Sequence, residues 1–420
     1  MTRVVIVGMG FGGVRAARAL AGKGLDVLII DRRNYHLFQP LLYQVATSSL
    51  EEESIAYPVR ALIRGWKDVR FRMAEVTGVD FERRLVRLSD GEVEYDYLIM
   101  AAGGATHFFG LQSVEQRAFQ LKGLGHAVRL RNHILNVFEQ ADRESDPERR
   151  RALMTFVIVG GGPTGVEFAG ALEELIHHEL SRDFPGLDMK ESRILLLEAR
   201  DAVLPPVPKE LQQYSRKRLE GMGVEVLLNT QVKGAEDGKV LLADGTIIPS
   251  HTIVWSAGVQ ASPLSAELGV PRAANGRITV QPDLSLADRK EVFVIGDMAF
   301  LAQDGTPLPM VASVAMQQGE YAAHAILGRI KGESAAPFRY HDKGTMAIIG
   351  RNSAVAKVFG VKMTGFFAWV VWLAIHLMFL VGFRNRLLVL LNWAYYYYFR
   401  AQQVRLITDG NGKPPEAAEK

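Results

Sequence analysis

A chain of 420 residues is too long for one hydrophobic core and implies two or three domains. With 48% hydrophobic and 23% charged residues it reads as a folded globular protein, and a net charge of +3 argues against nucleic-acid binding as its main business. The absence of cysteine excludes a redox-active disulfide, a thiol-ligated zinc or iron–sulfur site and a cysteinyl-linked prosthetic group.

Met1 leads within one residue into an apolar strand, Thr2-Arg3-Val4-Val5-Ile6-Val7, so no cleavable leader is expected and the body should stay on the cytoplasmic side. The strand runs into Gly8-Met9-Gly10-Phe11-Gly12-Gly13, which opens a helix. In this pattern the glycines make a tight turn, let backbone N–H groups approach a pyrophosphate and place it at the positive end of the helix. The next apolar strand, Val27-Leu28-Ile29-Ile30, ends in Asp31, where a carboxylate would bind the ribose hydroxyls of an adenosine. Leu88-Ser89-Asp90-Gly91 then signals a hairpin within a small meander, followed by a return strand ending at Ala101-Ala102-Gly103.

The same series recurs about 150 residues later. Met154-Thr155-Phe156-Val157-Ile158-Val159 leads into Gly160-Gly161-Gly162-Pro163-Thr164-Gly165, and Ile194-Leu195-Leu196-Leu197 ends in Glu198, delayed by a loop around Phe184-Pro185-Gly186. Leu242-Ala243-Asp244-Gly245 and Ser256-Ala257-Gly258 repeat the hairpin and the return. Two cradles in matched context predict two dinucleotides. Two-dinucleotide enzymes that need a thiol are excluded by the missing cysteines, which removes disulfide reductases, thiol-dependent peroxidases and sulfide-oxidising flavoenzymes. His177, His178 and Glu179 do not form a metal site, because adjacent helical residues diverge and the i, i+4 spacing is missing; no metal is expected.

Val292-Phe293-Val294-Ile295 reads as a further buried strand, with Gly296-Asp297 after it and a helix opening at Val311 through Gly319. An acid just beyond a buried strand needs a partner, and a ribityl hydroxyl would supply one in a flavin protein. Near the C-terminus, Gly365 to Phe383 is the only candidate transmembrane stretch, about 28 Å long as a helix and marginal for a bilayer. A shorter apolar segment, Leu387 to Phe399, follows the basic turn Arg384-Asn385-Arg386. Both segments are expected to lie on a lipid surface. Phe366, Phe367, Trp369 and Trp372 would be buried there, with Trp393 and Tyr395 to Tyr398 at the headgroups and Lys362, Arg384, Arg386, Arg400 and Arg405 flanking.

Taken together, these segments resemble the type II NADH dehydrogenases, the non-pumping NADH:quinone oxidoreductases of the two-dinucleotide flavoprotein superfamily. The resemblance runs nearly end to end. It is carried by both glycine fingerprints, by Asn34 through Ala46, by Val166-Glu167, Val254 through Val259 and Val292 through Asp297, by Val311 through Gly319, by Lys343 through Ala347, and by the aromatic tail. It implies non-covalent FAD at Gly8, Gly10, Gly12, Gly13, Asp31, Ala102, Gly103, Asp297 and Ala312, and NADH at Gly160, Gly162, Gly165, Glu198 and Gly258. Quinone would meet Ala312, Ser313, Ala315, Gln317 and Lys343. Glu167 and Gln317 match positions where nicotinamide, flavin and quinone meet, and are the expected catalytic residues. Ser313 departs from members that have Gln in an Ala-Gln-x-Ala-x-Gln motif.

The expected fold is α/β, with two Rossmann-like dinucleotide-binding domains and a C-terminal membrane-associating helical segment. Residues 1–110 and 259–330 would form a discontinuous FAD domain, 111–258 an inserted NADH domain, and 331–420 the tail region. Glu167, two residues past the fingerprint, is expected in the first helical turn, favoured there as a carboxylate by the helix dipole and serving nicotinamide orientation or a proton route. Glu198 favours NADH over NADPH, since it would repel a 2′-phosphate, although nearby Arg200 could soften the preference. The expected partners are a membrane quinone, a lipid surface and a second copy of the chain, at the cytoplasmic face of the cell membrane. Alternatives of other kinds are a soluble NADH:ferredoxin-type reductase and a flavin-bearing protein that senses NADH.

Overall fold

The computed structural model describes residues 1–205, 207–399 and 404–408. The chain forms two compact units. The first comprises Met1–Leu37, Tyr57–His107 and Val259–Lys343; the second comprises Phe38–Ala56, Phe108–Gly258 and Gly344–Lys420.

In the first unit a six-stranded sheet runs in the order Ser285–Leu286, Arg289–Val294, Tyr97–Met100, Arg3–Val7, Asp26–Asp31, Val69–Met73. All pairings are parallel except the outermost, between Ser285–Leu286 and Arg289–Val294. Val4, Val5, Ile6, Ile29, Leu98 and Ile99 are fully buried, as central parallel strands covered on both faces require. Helix Phe11–Leu20 packs against helix Ala312–Ile330. Their approach is backbone to backbone: a Cβ at Gly319 would lie 2.2 Å from the Gly12 carbonyl oxygen.

The second unit repeats the plan. Its five-stranded sheet has the order Phe119–Gln120, Thr252–Trp255, Thr155–Val159, Arg193–Leu197, Glu225–Leu227, parallel throughout. In both units the fingerprint strand lies between the return strand and the strand ending in the acid. Both meanders are present as three-stranded antiparallel sheets, Val76–Asp80 with Leu85–Leu88 and Gly91–Glu94, and Val232–Glu236 with Lys239–Leu242 and Ile247–Pro249.

The helix that opens at the second cradle, Pro163–Glu174, continues into a π-helical segment, Leu175–Leu180. A three-stranded sheet, Gly344–Gly350, Ser353–Val358 and Val361–Thr364, packs against that helix, with room only for glycine at Gly170, where a Cβ would lie 1.7 Å from the Ile349 oxygen. Two helices follow, Gly365–Phe379 and Phe383–Phe399.

The uncharged stretch from Gly365 to Phe383 is therefore not one helix. It ends at Phe379, the chain turns through Gly382 at φ 89°, and Arg386 closes the break by donating to the carbonyls of Met378 and Leu380. Fifteen residues give about 22 Å of helix, well below a bilayer core. Among the described residues no helix is long and apolar enough to cross a membrane. The Asn385 side chain anchors the last helix by donating to the carbonyls of Glu53, Ser54 and Ala56.

Candidate functional site

The two cradles agree at three glycine positions. Gly8 and Gly160 have φ of +100° and +107°, a region that side chains disfavour, and a Cβ on either would collide with the return strand's end at Ala101 or Ala257. Gly13 and Gly165 each sit where a Cβ would lie 1.9 Å from the carbonyl oxygen of Gly8 or Gly160, so the helix can start only because the side chain is absent. Gly10 and Gly162, by contrast, have nothing within 4 Å of a Cβ. These two leave open space at the helix N-terminus, the fit that a pyrophosphate requires.

The acids are also matched. Asp31 accepts hydrogen bonds from the backbone N–H of Met9 at 2.7 Å and of Arg33 at 2.8 Å. Glu198 accepts from the backbone N–H of Gly161 at 2.6 Å and of Arg200 at 2.9 Å. Each carboxylate is thus fixed between the second residue of its cradle and the residue two beyond itself. In the first unit the cradle is braced further by His36, buried, whose Nδ1 bonds the Met9 carbonyl at 2.8 Å and whose own burial lowers its pKa.

The other positions of the first unit gather around two turns. Ala102 and Gly103 follow the return strand Tyr97–Met100, and the Asp297 carboxylate, in the turn Gly296–Met298, lies against Gly104, where a Cβ would come 2.8 Å from its Oδ2. Ala312, Ser313, Ala315 and Gln317 occupy the start of helix Ala312–Ile330. The Ser313 hydroxyl pairs with Tyr340 at 2.9 Å. The Gln317 amide is committed at both ends, donating to the His341 carbonyl and accepting from the His341 N–H, each at 3.0 Å. Lys343 is exposed just before strand Gly344–Gly350.

Glu167 departs from its expected setting. It is the fifth residue of helix Pro163–Glu174, one step beyond the first turn, and it is 8% exposed. Burial outweighs any benefit of the helix dipole: loss of hydration pushes its pKa up to about 8, against smaller opposing contributions from the Ile348 N–H and the Trp372 indole. Both donors bond the same oxygen, Oε1, at 3.3 Å and 3.2 Å, which leaves Oε2 to carry the proton. Tyr43, buried beside it, has a pKa raised by burial and by the Glu167 charge, and its hydroxyl accepts from Gln44 at 2.8 Å. Gln44 in turn accepts from the Trp393 indole at 2.8 Å.

Trp372 was not to be found from its own neighbourhood in the sequence. Expected among the rings buried in lipid, it is instead fully buried in protein, stacked on His376 at 3.9 Å and bonded to Glu167. Trp369 is half-buried against Tyr397. The flanking cations are largely committed as well: Lys362 pairs with Glu210, Arg386 caps the preceding helix, and Arg405 pairs with Glu179 and Asp183. Arg384 is exposed, and Arg400 lies outside the described residues. An apolar exposed set remains, including Phe366 at 49%, Phe367 at 77% and Phe383 at 81% exposure.

Two cradles, each with its own anchored acid, define a two-dinucleotide oxidoreductase. Residues 2–319 match the family model described as pyridine nucleotide-disulphide oxidoreductase, and residues 342–400 match the NDH2 C-terminal domain. The chain is 43% identical to the type II NADH:quinone oxidoreductase Ndh of Mycobacterium tuberculosis over 407 residues, covering 93% of this chain and 87% of that protein. It is 33% identical to the type II NADH:quinone oxidoreductase of Staphylococcus haemolyticus, covering 86% and 91%. In fold it is similar to NDH2 from Plasmodium falciparum in complex with NADH, with a TM-score of 0.89 at 18% identity over 96% of this chain and 99% of that one. The chain belongs to the type II NADH:quinone oxidoreductase family.

Proposed function

We infer that the protein oxidises NADH and reduces a membrane quinone through bound FAD, without moving protons across the membrane. The observation that carries this reading is the pair of matched cradles, in a chain whose relatives carry out NADH:quinone chemistry. Asp31 and the first cradle, with Ala102, Gly103, Asp297 and Ala312, are suited to hold FAD; Glu198, Gly258 and the second cradle are suited to hold NADH. FAD, when bound, supplies a ring able to accept two electrons from a nicotinamide and release them to a quinone. The chain's own part is placement and proton supply. Glu198 would bind ribose hydroxyls and repel a 2′-phosphate, which favours NADH over NADPH.

The overall reaction, NADH + H⁺ + quinone → NAD⁺ + quinol, takes up one proton per turnover. We assign its supply to Glu167: a pKa of about 8 keeps it protonated at neutral pH, with Oε2 left to carry the proton. Gln317, Ser313, Ala315 and Lys343 are the proposed quinone neighbours. The exposed rings of Gly365–Phe379 and Phe383–Phe399 would seat the protein on the cytoplasmic surface of the cell membrane, as a homodimer. Glu167→Gln tests the proton role. Flavin bleaching by NADH should keep its rate while the first reoxidation by quinone slows by about 100-fold; an unchanged first reoxidation would remove Glu167 from the reaction.

A further inference from the structure

Helix Pro163–Glu174 carries a second carboxyl on the face that presents Glu167. Glu167, Ala171 and Glu174 follow at i, i+4 and i+7, a single stripe, and all three line one cavity that offers about 70 Å³ to the centres of water-sized molecules. The two acids stand about 10 Å apart along the helix axis, too far for direct contact. Ala171 lies between them, and its short side chain leaves the space that a longer one would fill. Polar groups reach the wall of this largely apolar cavity: Arg351, which lines it, has a buried Nε with no hydrogen-bond partner among the described residues, and water held by such groups would bridge the acids.

Glu174 has the properties of the outer end of such a path. It is only half-buried, whereas Glu167 is buried. The Tyr396 hydroxyl donates to its Oε2 at 2.7 Å, and the Arg351 N–H donates to its Oε1 at 2.5 Å. Desolvation raises its pKa, the neighbouring Glu173 charge acts in the same direction, and the two hydrogen bonds and the Arg218 charge oppose. Glu174 therefore holds its proton more tightly than an ordinary surface carboxyl. Nothing in the reaction as derived above uses this second acid.

We propose that Glu174 is the proton-refilling residue for Glu167, passing a proton across the cavity once Glu167 has surrendered its own. The O–H bond of Glu174 breaks, water in the cavity relays the proton, and an O–H bond forms at Glu167 Oε2. No electron moves, and Glu174 regains a proton from solvent past the Tyr396 hydroxyl. The inference rests on the reading that Glu167 supplies the quinone's proton.

Refilling matters only after the first turnover, and this separates the two ideas. FAD-loaded Glu174→Gln and Ala171→Leu proteins would be reduced with NADH and mixed with a short-chain quinone, and the first reoxidation compared with steady-state turnover. The expected result is a first reoxidation near the wild-type rate and a steady state slowed about tenfold, restored by a small weak acid such as azide. Ala171→Leu, which keeps both carboxyls and fills the space between them, should behave alike. Steady-state turnover at the wild-type rate, or equal slowing of first and later turnovers without rescue, would overturn the proposal for Glu174. A Glu167→Gln protein with a normal first reoxidation would instead remove the reading beneath it.

Discussion

Replacing Trp372 with Phe tests the proton chemistry at its most specific point. The indole N–H donates to Glu167 Oε1 at 3.2 Å, a bond that favours the ionised carboxylate and so holds its pKa down against burial. A hydrogen bond to a charged group in a buried site is worth about 1.5 kcal/mol, which corresponds to a pKa change of about one. Removing the donor while keeping an aromatic ring should therefore raise the Glu167 pKa from about 8 to roughly 9. The acid form is the one that gives the proton, so the first quinone-dependent reoxidation is fast at low pH and falls as pH rises through that value. Stopped-flow traces of flavin absorbance, from roughly pH 6 to 10, should show this alkaline limb moving upward in Trp372→Phe while reduction by NADH keeps its pH profile. A limb that stays in place, or moves to lower pH, would refute the claim that this indole acts on the titrating group.

Three further outcomes are expected. Gly13→Ala and Gly165→Ala force a Cβ to within 1.9 Å of a backbone oxygen; the first should yield colourless protein lacking FAD, and the second a yellow protein with a KM for NADH raised at least about tenfold, measured by absorbance and steady-state kinetics. Glu198→Gln should narrow the preference for NADH over NADPH, read as the ratio of kcat/KM values; equal efficiency with both already in the wild type would count against Glu198 as the discriminating group. Joint replacement of Phe366, Phe367 and Phe383 by Ser should release the protein from anionic vesicles in a flotation assay, since each exposed ring contributes roughly 1.5 to 3 kcal/mol of burial in lipid; unchanged flotation would place the membrane contact elsewhere. Truncation before Lys362 would be a poorer test, because it also removes Trp372 from Glu167.

The repeated α/β plan was legible because its signals are local. A glycine that must adopt positive φ, a glycine that must carry no Cβ, an apolar run before them and an acid at the end of the next strand all lie within a few dozen residues of one another. The carboxylate anchoring of Met9 by Asp31 and of Gly161 by Glu198 follows from that spacing. The surroundings of Glu167 were not legible, because they depend on pairings across the chain. Its donors are 181 and 205 residues away, and an amphipathic ring such as Trp372 looks the same in sequence whether it faces lipid or a buried carboxyl. One local clue was available: Glu167, Ala171 and Glu174 place two acids on one stripe of a helix whose other residues, Thr164 and Glu173 apart, are apolar. The break after Phe379 was hidden for a different reason. It is fixed by Gly382 and by Arg386 reaching back to two carbonyls, while hydropathy alone reads straight through it.

The most direct test of the central claim is one anaerobic stopped-flow experiment on the purified protein. Its bound flavin should bleach when NADH is added and regain its full yellow absorbance when quinone in lipid vesicles follows, with one quinol formed per NADH consumed. Protein that carries no flavin, or flavin that bleaches and does not recover with quinone, would contradict the account.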